Sequence, residues 1–90
     1  MNTIFVKNII NEAFSINDAK IINSTIDNIM INNCLLLDFS NINYFTTHFF
    51  QEFISNNLLN LLNDKIRLIN LNEIGNSTFN FCFNFIINNK

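Results

Sequence analysis

A chain of 90 residues is long enough for one hydrophobic core and too short for two. Its 49% hydrophobic content excludes a disordered tail, and with only 13% charged residues the surface depends on neutral polar groups. The net charge of −2, with Lys7, Lys20, Lys65, Arg67 and Lys90 dispersed, gives no basic footprint for nucleic acid.

Asparagine fills the gap left by charge, at 21 positions. These residues interleave with periodic apolar ones instead of forming runs, the pattern of A/T-rich codon usage and not of a prion-like tract. Neutral amides give weak colloidal repulsion. Asn or Asp interrupts every apolar run before it reaches membrane-spanning length, and the N-terminus lacks the basic and small-residue features of a secretory signal. Cys34 and Cys82 stand among apolar neighbours with no nearby His and no second pair. Buried thiols in a reducing compartment explain them better than a metal half-site or a disulfide. The expectation is a cytoplasmic protein with no metal, no cofactor and no membrane contact. Without Pro, and with Gly75 as the single glycine, no linker divides residues 1–90.

Thr3 to Ile9 is rich in β-branched and aromatic residues, with Ile4 and Val6 on one face, and predicts a first strand. Ser15 opens a helix: its side chain can cap the amide of Asp18, and Asp18 can reach back. Ala19, Ile22, Ile26 and Ile29 recur at three- and four-residue spacing, so this helix is expected to run to about Ile31, with Asn32-Asn33 as its exit. Cys34 to Phe39 is a continuous apolar run ending in Asp38-Phe39, the pattern of a central strand covered on both faces. From Thr47 to Leu62 the period turns helical, with Phe50, Phe53, Ile54, Leu58, Leu61 and Leu62 in a stripe. Lys65 to Leu71 alternates and predicts a third strand, joined to the second by a right-handed crossover. The segment 77–87 fits two patterns. Phe79, Phe81, Phe83 and Phe85 alternate as in a strand, while Asn76 and Ser77 are good caps and Phe79, Phe83 and Ile86 share a helical face.

Ser15 to Asp18, Leu36 to Ile42 (LLDFSNI), Thr46 to Ile54 (TTHFFQEFI) and Arg67 to Ile74 (RLINLNEI), in this order and spacing, resemble the STAS-like domain family of unassigned function. That family is related to the STAS domains of the anti-sigma-factor antagonists. The resemblance covers nearly the whole chain and implies a single small α/β sandwich of β-α-β-α-β-α order. Its sheet would have about three to four strands, with helices mainly on one face, and the resemblance makes the last segment a helix. It also implies a non-enzymatic regulatory module that docks a protein partner, such as a histidine-kinase-like ATPase or another regulator. In the antagonists that kinase phosphorylates a Ser within Asp-Ser-Ser-Gly. The matching positions are Thr46, Thr47, His48 and Phe49, so Thr47 is the candidate phosphoacceptor, while the Asp and Gly are replaced.

The candidate docking surface is the stretch 41–53, with Asn43, Tyr44, Thr46, Thr47, His48, Phe49 and Glu52 as contact residues. Tyr44, Phe45 and Phe49 form an apolar patch there if they escape the core, and Phe45 with one of the others is expected to be buried. Thr46 or Thr47 also has the plainer role of capping the helix. A small hydrolase or transferase would use Asp38, Thr47 and His48, but no complete catalytic set is recognisable. Asp38 is better explained as an acceptor for turn amides, and His48 as a surface residue of a first helical turn. A homo-oligomer burying the phenylalanine-rich end of the chain is the remaining alternative.

Overall fold

The structure, a computed structural model, describes residues 2–29 and 34–89. Three strands, β1 (Asn2–Phe5), β2 (Leu35–Asp38) and β3 (Ile66–Ile69), alternate with three helices, α1 (Ile16–Asp27), α2 (Thr47–Leu62) and α3 (Glu73–Asn88). β1 and β3 both pair in parallel with β2, Ile4 and Leu68 lying opposite Leu37 from either side. When strand order follows chain order, right-handed crossovers carry α1 and α2 to the same face of the sheet. α2 packs between α1 and α3. This is the small α/β architecture expected from the sequence, with three parallel strands and one layer of helices.

Each helix starts where a side chain satisfies an otherwise free amide. Ser15 Oγ accepts from Asp18 N at 3.0 Å, and Asp18 Oδ2 accepts from Ser15 N at 3.0 Å, the reciprocal capping box. Thr46 Oγ1 accepts from Phe49 N at 3.1 Å to start α2, and Asn72 Oδ1 accepts from Gly75 N at 2.7 Å to start α3. Within the mainly aliphatic core between the layers sits a cluster of phenylalanines. Phe45 stacks on Phe50 with centroids 5.6 Å apart, while Phe49 and Phe79 meet Phe50 edge-on at 5.2 and 5.5 Å. Burying one such side chain contributes about 2–3 kcal/mol. One polar pair is built into this core: Asn57 Nδ2 donates to Asn23 Oδ1 and to the Phe53 carbonyl, each at 2.8 Å, tying α2 to α1.

Several sequence expectations change. The first strand ends at Phe5 instead of Ile9, because Ile9 N and Ile10 N both bond the Val6 carbonyl, at 2.9 and 3.0 Å, and so close a turn over Val6–Asn8. The first helix ends at Asp27, and its expected exit at Asn32-Asn33 lies outside the described residues. The third strand is Ile66–Ile69, shorter than the stretch to Leu71. β2 is not covered on both faces. Leu35 and Leu37 are buried beneath the helices, whereas on the other face Phe5 is 53% exposed, Arg67 is exposed, and Leu36 and Ile69 are half-buried. The apolar run arose because half of it meets the helix layer and half forms a lightly covered sheet surface.

The segment 77–87 is helix, part of α3, which begins at Glu73, three residues before Asn76, because Asn72 is the cap. Alternate phenylalanines on a helix fall on two sides. Phe79 and Phe83 turn inward and are half-buried, while Phe81 is 62% and Phe85 53% exposed. In α2, Leu62 leaves the expected stripe and is 54% exposed. Among the described residues no helix is long and apolar enough to cross a membrane.

Candidate protein-interaction surface

The carboxyl end of a parallel sheet is where the loops before the helices gather, and here the loop 39–46 is held by side chains from three other elements. Ser40 N and Ser40 Oγ donate to Asp38 Oδ1 at 2.9 and 2.6 Å, and Asn70 Nδ2 donates to the same oxygen at 3.0 Å. Asn70 reaches it because it ends β3 in the left-handed region, φ 60°. Asn41, at φ 67°, turns the loop, and Ile42 N bonds the Phe39 carbonyl at 3.1 Å. With three donors on one oxygen, led by the Ser40 hydroxyl and then the Asn70 amide, the Asp38 carboxyl titrates below its ordinary value.

Further along, Glu12 Oε1 accepts the amides of Asn43 and Tyr44 at 2.9 and 3.1 Å, from 31 and 32 residues away. Those two amides, Tyr44 first, hold the Glu12 carboxyl below the usual range, with a smaller pull from Lys7. A parallel bridge joins Ala13 to Phe45, with Ala13 N on the Tyr44 carbonyl and Thr46 N on the Ala13 carbonyl, both at 3.1 Å. Thr46 Oγ1 also donates to the Phe14 carbonyl, and Asn72 Nδ2 to the Asn43 carbonyl at 3.2 Å. The loop is therefore a fixed rim that joins the starts of all three helices.

The rim buries one set of side chains and presents another. Phe45 and Phe49 are inside, as one pair of the three aromatics was expected to be, and Tyr44 is 63% exposed. Phe49 therefore drops out of the candidate contact set: the helix starts at Thr47, which places position 49 on the inward arc with Phe50 and Phe53. Thr46 is half-buried and consumed by the cap and the Phe14 carbonyl, so capping falls to it and not to Thr47. Thr47, His48 and Asn43 are exposed, and Glu52 is half-buried one turn further on.

Phe14, 61% exposed, and Ile16, 47% exposed, lie beside this group on the strand-bridged segment and the first turn of α1. They are contact candidates that the sequence did not single out. A residue before an N-cap normally packs against the fourth helical residue, but that position is Ala19, too short to cover Phe14. This mismatch was the one available signal.

Asp38, Thr47 and His48 are not brought together. Alternation along β2 turns Asp38 to the face opposite the helix layer, while Thr47 and His48 stand at the start of α2 on the other side. Among the described residues no three His, Cys, Asp or Glu side chains gather as a metal site. Cys82 is a buried free thiol whose titration is pushed up by burial, and Cys34 is only half-buried, a correction to the expectation of two buried thiols. No protein-family model, no curated protein and no solved structure matches the chain.

Proposed function

We propose that the chain is a non-catalytic regulatory module that docks a protein partner on the rim formed by Phe14, Ile16, Asn43, Tyr44, Thr47 and His48. The observation that carries this reading is the rim's construction. Two large aromatics, Phe14 and Tyr44, stay exposed at 61% and 63% on backbone pinned by Glu12 and by the Ala13–Phe45 bridge. A rigid scaffold lowers the ordering cost of binding, and aromatic anchors supply most of the energy at protein interfaces. The STAS-like resemblance adds a partner class, a kinase-like ATPase or similar regulator. It also adds a switch: the exposed Thr47 hydroxyl, unused by the cap, as phosphoacceptor at a helix start that favours added negative charge.

Tyr44→Asp should abolish co-purification of the partner from the protein's own cells while the circular dichroism spectrum is unchanged. Retained capture by both Tyr44→Asp and Phe14→Asp would remove this surface from consideration. A peptide carrying phosphate on Thr47 should be found by mass spectrometry of natively expressed protein, and its absence would count against the switch.

A second reading is favoured by the outer side of α3. Ile74, Phe81 and Phe85, spaced along one helical stripe, are 57%, 62% and 53% exposed. Burial of that stripe between two copies would make the chain a homo-oligomer, and a monodisperse monomer by light scattering at high concentration would refute it.

A further inference from the structure

α3 has two apolar flanks. Phe79 and Phe83 turn toward β3, where with Leu61, Leu68 and Leu71 they line a groove of about 380 Å³. On the other flank Ile74, Phe81 and Phe85 are exposed, and Thr78 between them is half-buried. Positions 74, 78, 81 and 85 advance by four, three and four residues, the spacing of a coiled-coil seam. Thr78 Oγ1 donates to the Ile74 carbonyl at 2.8 Å, so its hydroxyl is already paired within the helix.

Size and charge choose the occupant. A second copy laid antiparallel sets Phe81 against Thr78 of the second copy and Phe85 against its Ile74, each ring opposite a smaller side chain. That register uses all four seam residues. It also places each helix start beside the other's end, which suits the two dipoles, and keeps the two Glu73 carboxylates far apart. A parallel copy would set ring against ring at both Phe81 and Phe85 and bring Glu73 beside Glu73. From Ile74 to Asn89 no side chain is charged, so nothing along the seam repels its own copy. Ser77 and Asn84 occupy positions where coiled coils carry partner-selecting charges, and both are neutral. The seam is complementary to itself in one orientation and lacks the charges that would select a foreign helix.

We propose that two copies of the chain pair through α3 in this antiparallel register, with Phe81 facing Thr78 and Phe85 facing Ile74 across a two-fold axis. The inference rests on the homo-oligomer reading above and adds its geometry. One pair of helices buries less area than a standard interface, so association is weak. The dimer forms at millimolar protein and separates at the micromolar concentrations of an unfolding measurement.

The test is light scattering at millimolar protein, followed by isotope-filtered NMR on an equal mixture of labelled and unlabelled chains. The expected result is a dimer with contacts between copies from the Phe81 ring to the Thr78 methyl and from the Phe85 ring to the Ile74 methyls. Phe81→Asp should weaken self-association about tenfold or more with an unchanged circular dichroism spectrum, and Phe85→Asp gives the same comparison should the first variant misfold. A dimer whose contacts between copies run from Phe81 to Phe81 and from Phe85 to Phe85 overturns this register while the α3 homo-oligomer reading stands. Contacts between copies centred on Phe14 and Tyr44 overturn both. A monomer at millimolar protein also overturns both and leaves the stripe to a different partner.

Discussion

α2 and α3 are each 16 residues long, each begins behind a side-chain cap at the carboxyl end of a strand, and each is rich in phenylalanine. Yet α2 buries Phe49, Phe50, Phe53, Ile54, Asn57 and Leu58, whereas α3 buries only Gly75 and Cys82. The cause is position in the strand order. α2 crosses from the central strand with a helix on either side, so it is covered by α1, α3 and the sheet. α3 follows the last strand and has one helical neighbour, and its remaining apolar side chains face the groove or solvent. A helix's own apolarity therefore does not fix how much of it is covered. What fixes it is how many elements the topology places around it, and the surplus on α3 is where unused binding surface accumulates.

The contrast can be broken most sharply by truncating one phenylalanine from each helix. Phe50→Ala removes a fully buried ring that touches Phe39, Phe45, Phe49 and Phe79. It should cost about 3–5 kcal/mol in denaturant unfolding. Phe81→Ala should change stability by no more than about 0.5 kcal/mol. Similar losses from both would mean that α3 is covered as fully as α2.

A smaller effect comes from the one place where α3 is tight. A Cβ on Gly75 would sit 2.9 Å from Cε2 and Cζ of Phe45 and 3.0 Å from Leu71 Cδ2. Ala is ordinarily the better helix residue by up to about 1 kcal/mol. Here the Phe45 ring is stacked on Phe50 and cannot withdraw freely, so Gly75→Ala should destabilise by about 1–2 kcal/mol. A gain in stability would show that the α3 start is loose.

The smallest effect concerns the rim. Glu12 and Asp38 both have folded-state values lowered by their hydrogen bonds, so their contribution is complete above the ordinary carboxylate value. That contribution fades as pH falls below about 4 and through those lowered values. The melting temperature should therefore be flat from neutral pH to about 5 and then drop. Glu12→Gln should make that acid drop shallower and speed hydrogen exchange at Asn43 and Tyr44. An unchanged acid limb would mean the carboxylate does not pin the loop.

Much of the fold is legible in local chemistry. The capping box at Ser15 and Asp18, the 3.6-residue period from Phe50 to Leu58, and the run from Leu35 to Asp38 each specify an element from neighbouring residues alone. Asp38 as an acceptor for a turn amide was legible for the same reason, since its partner Ser40 is two residues away. Partners distant in sequence were not. Glu12 meets Asn43 and Tyr44, and Asn70 meets Asp38, across 31 to 32 residues, with no periodicity to announce them. Phe49 was misplaced on the surface because its side of α2 depends on where the cap falls, and Thr46 and Thr47 were equally good caps on paper.

The sequence by itself determined three strands and two of the helices, their order, and the residue types that would pack between them, because capping, periodicity and apolar alternation act over a few residues. Only the tertiary structure decided which face of β2 is covered, that 77–87 joins a helix, and which of Phe14, Tyr44, Phe49, Phe81 and Phe85 reach solvent. Those outcomes depend on how many neighbours a segment acquires when the layers close, and no local window contains that number.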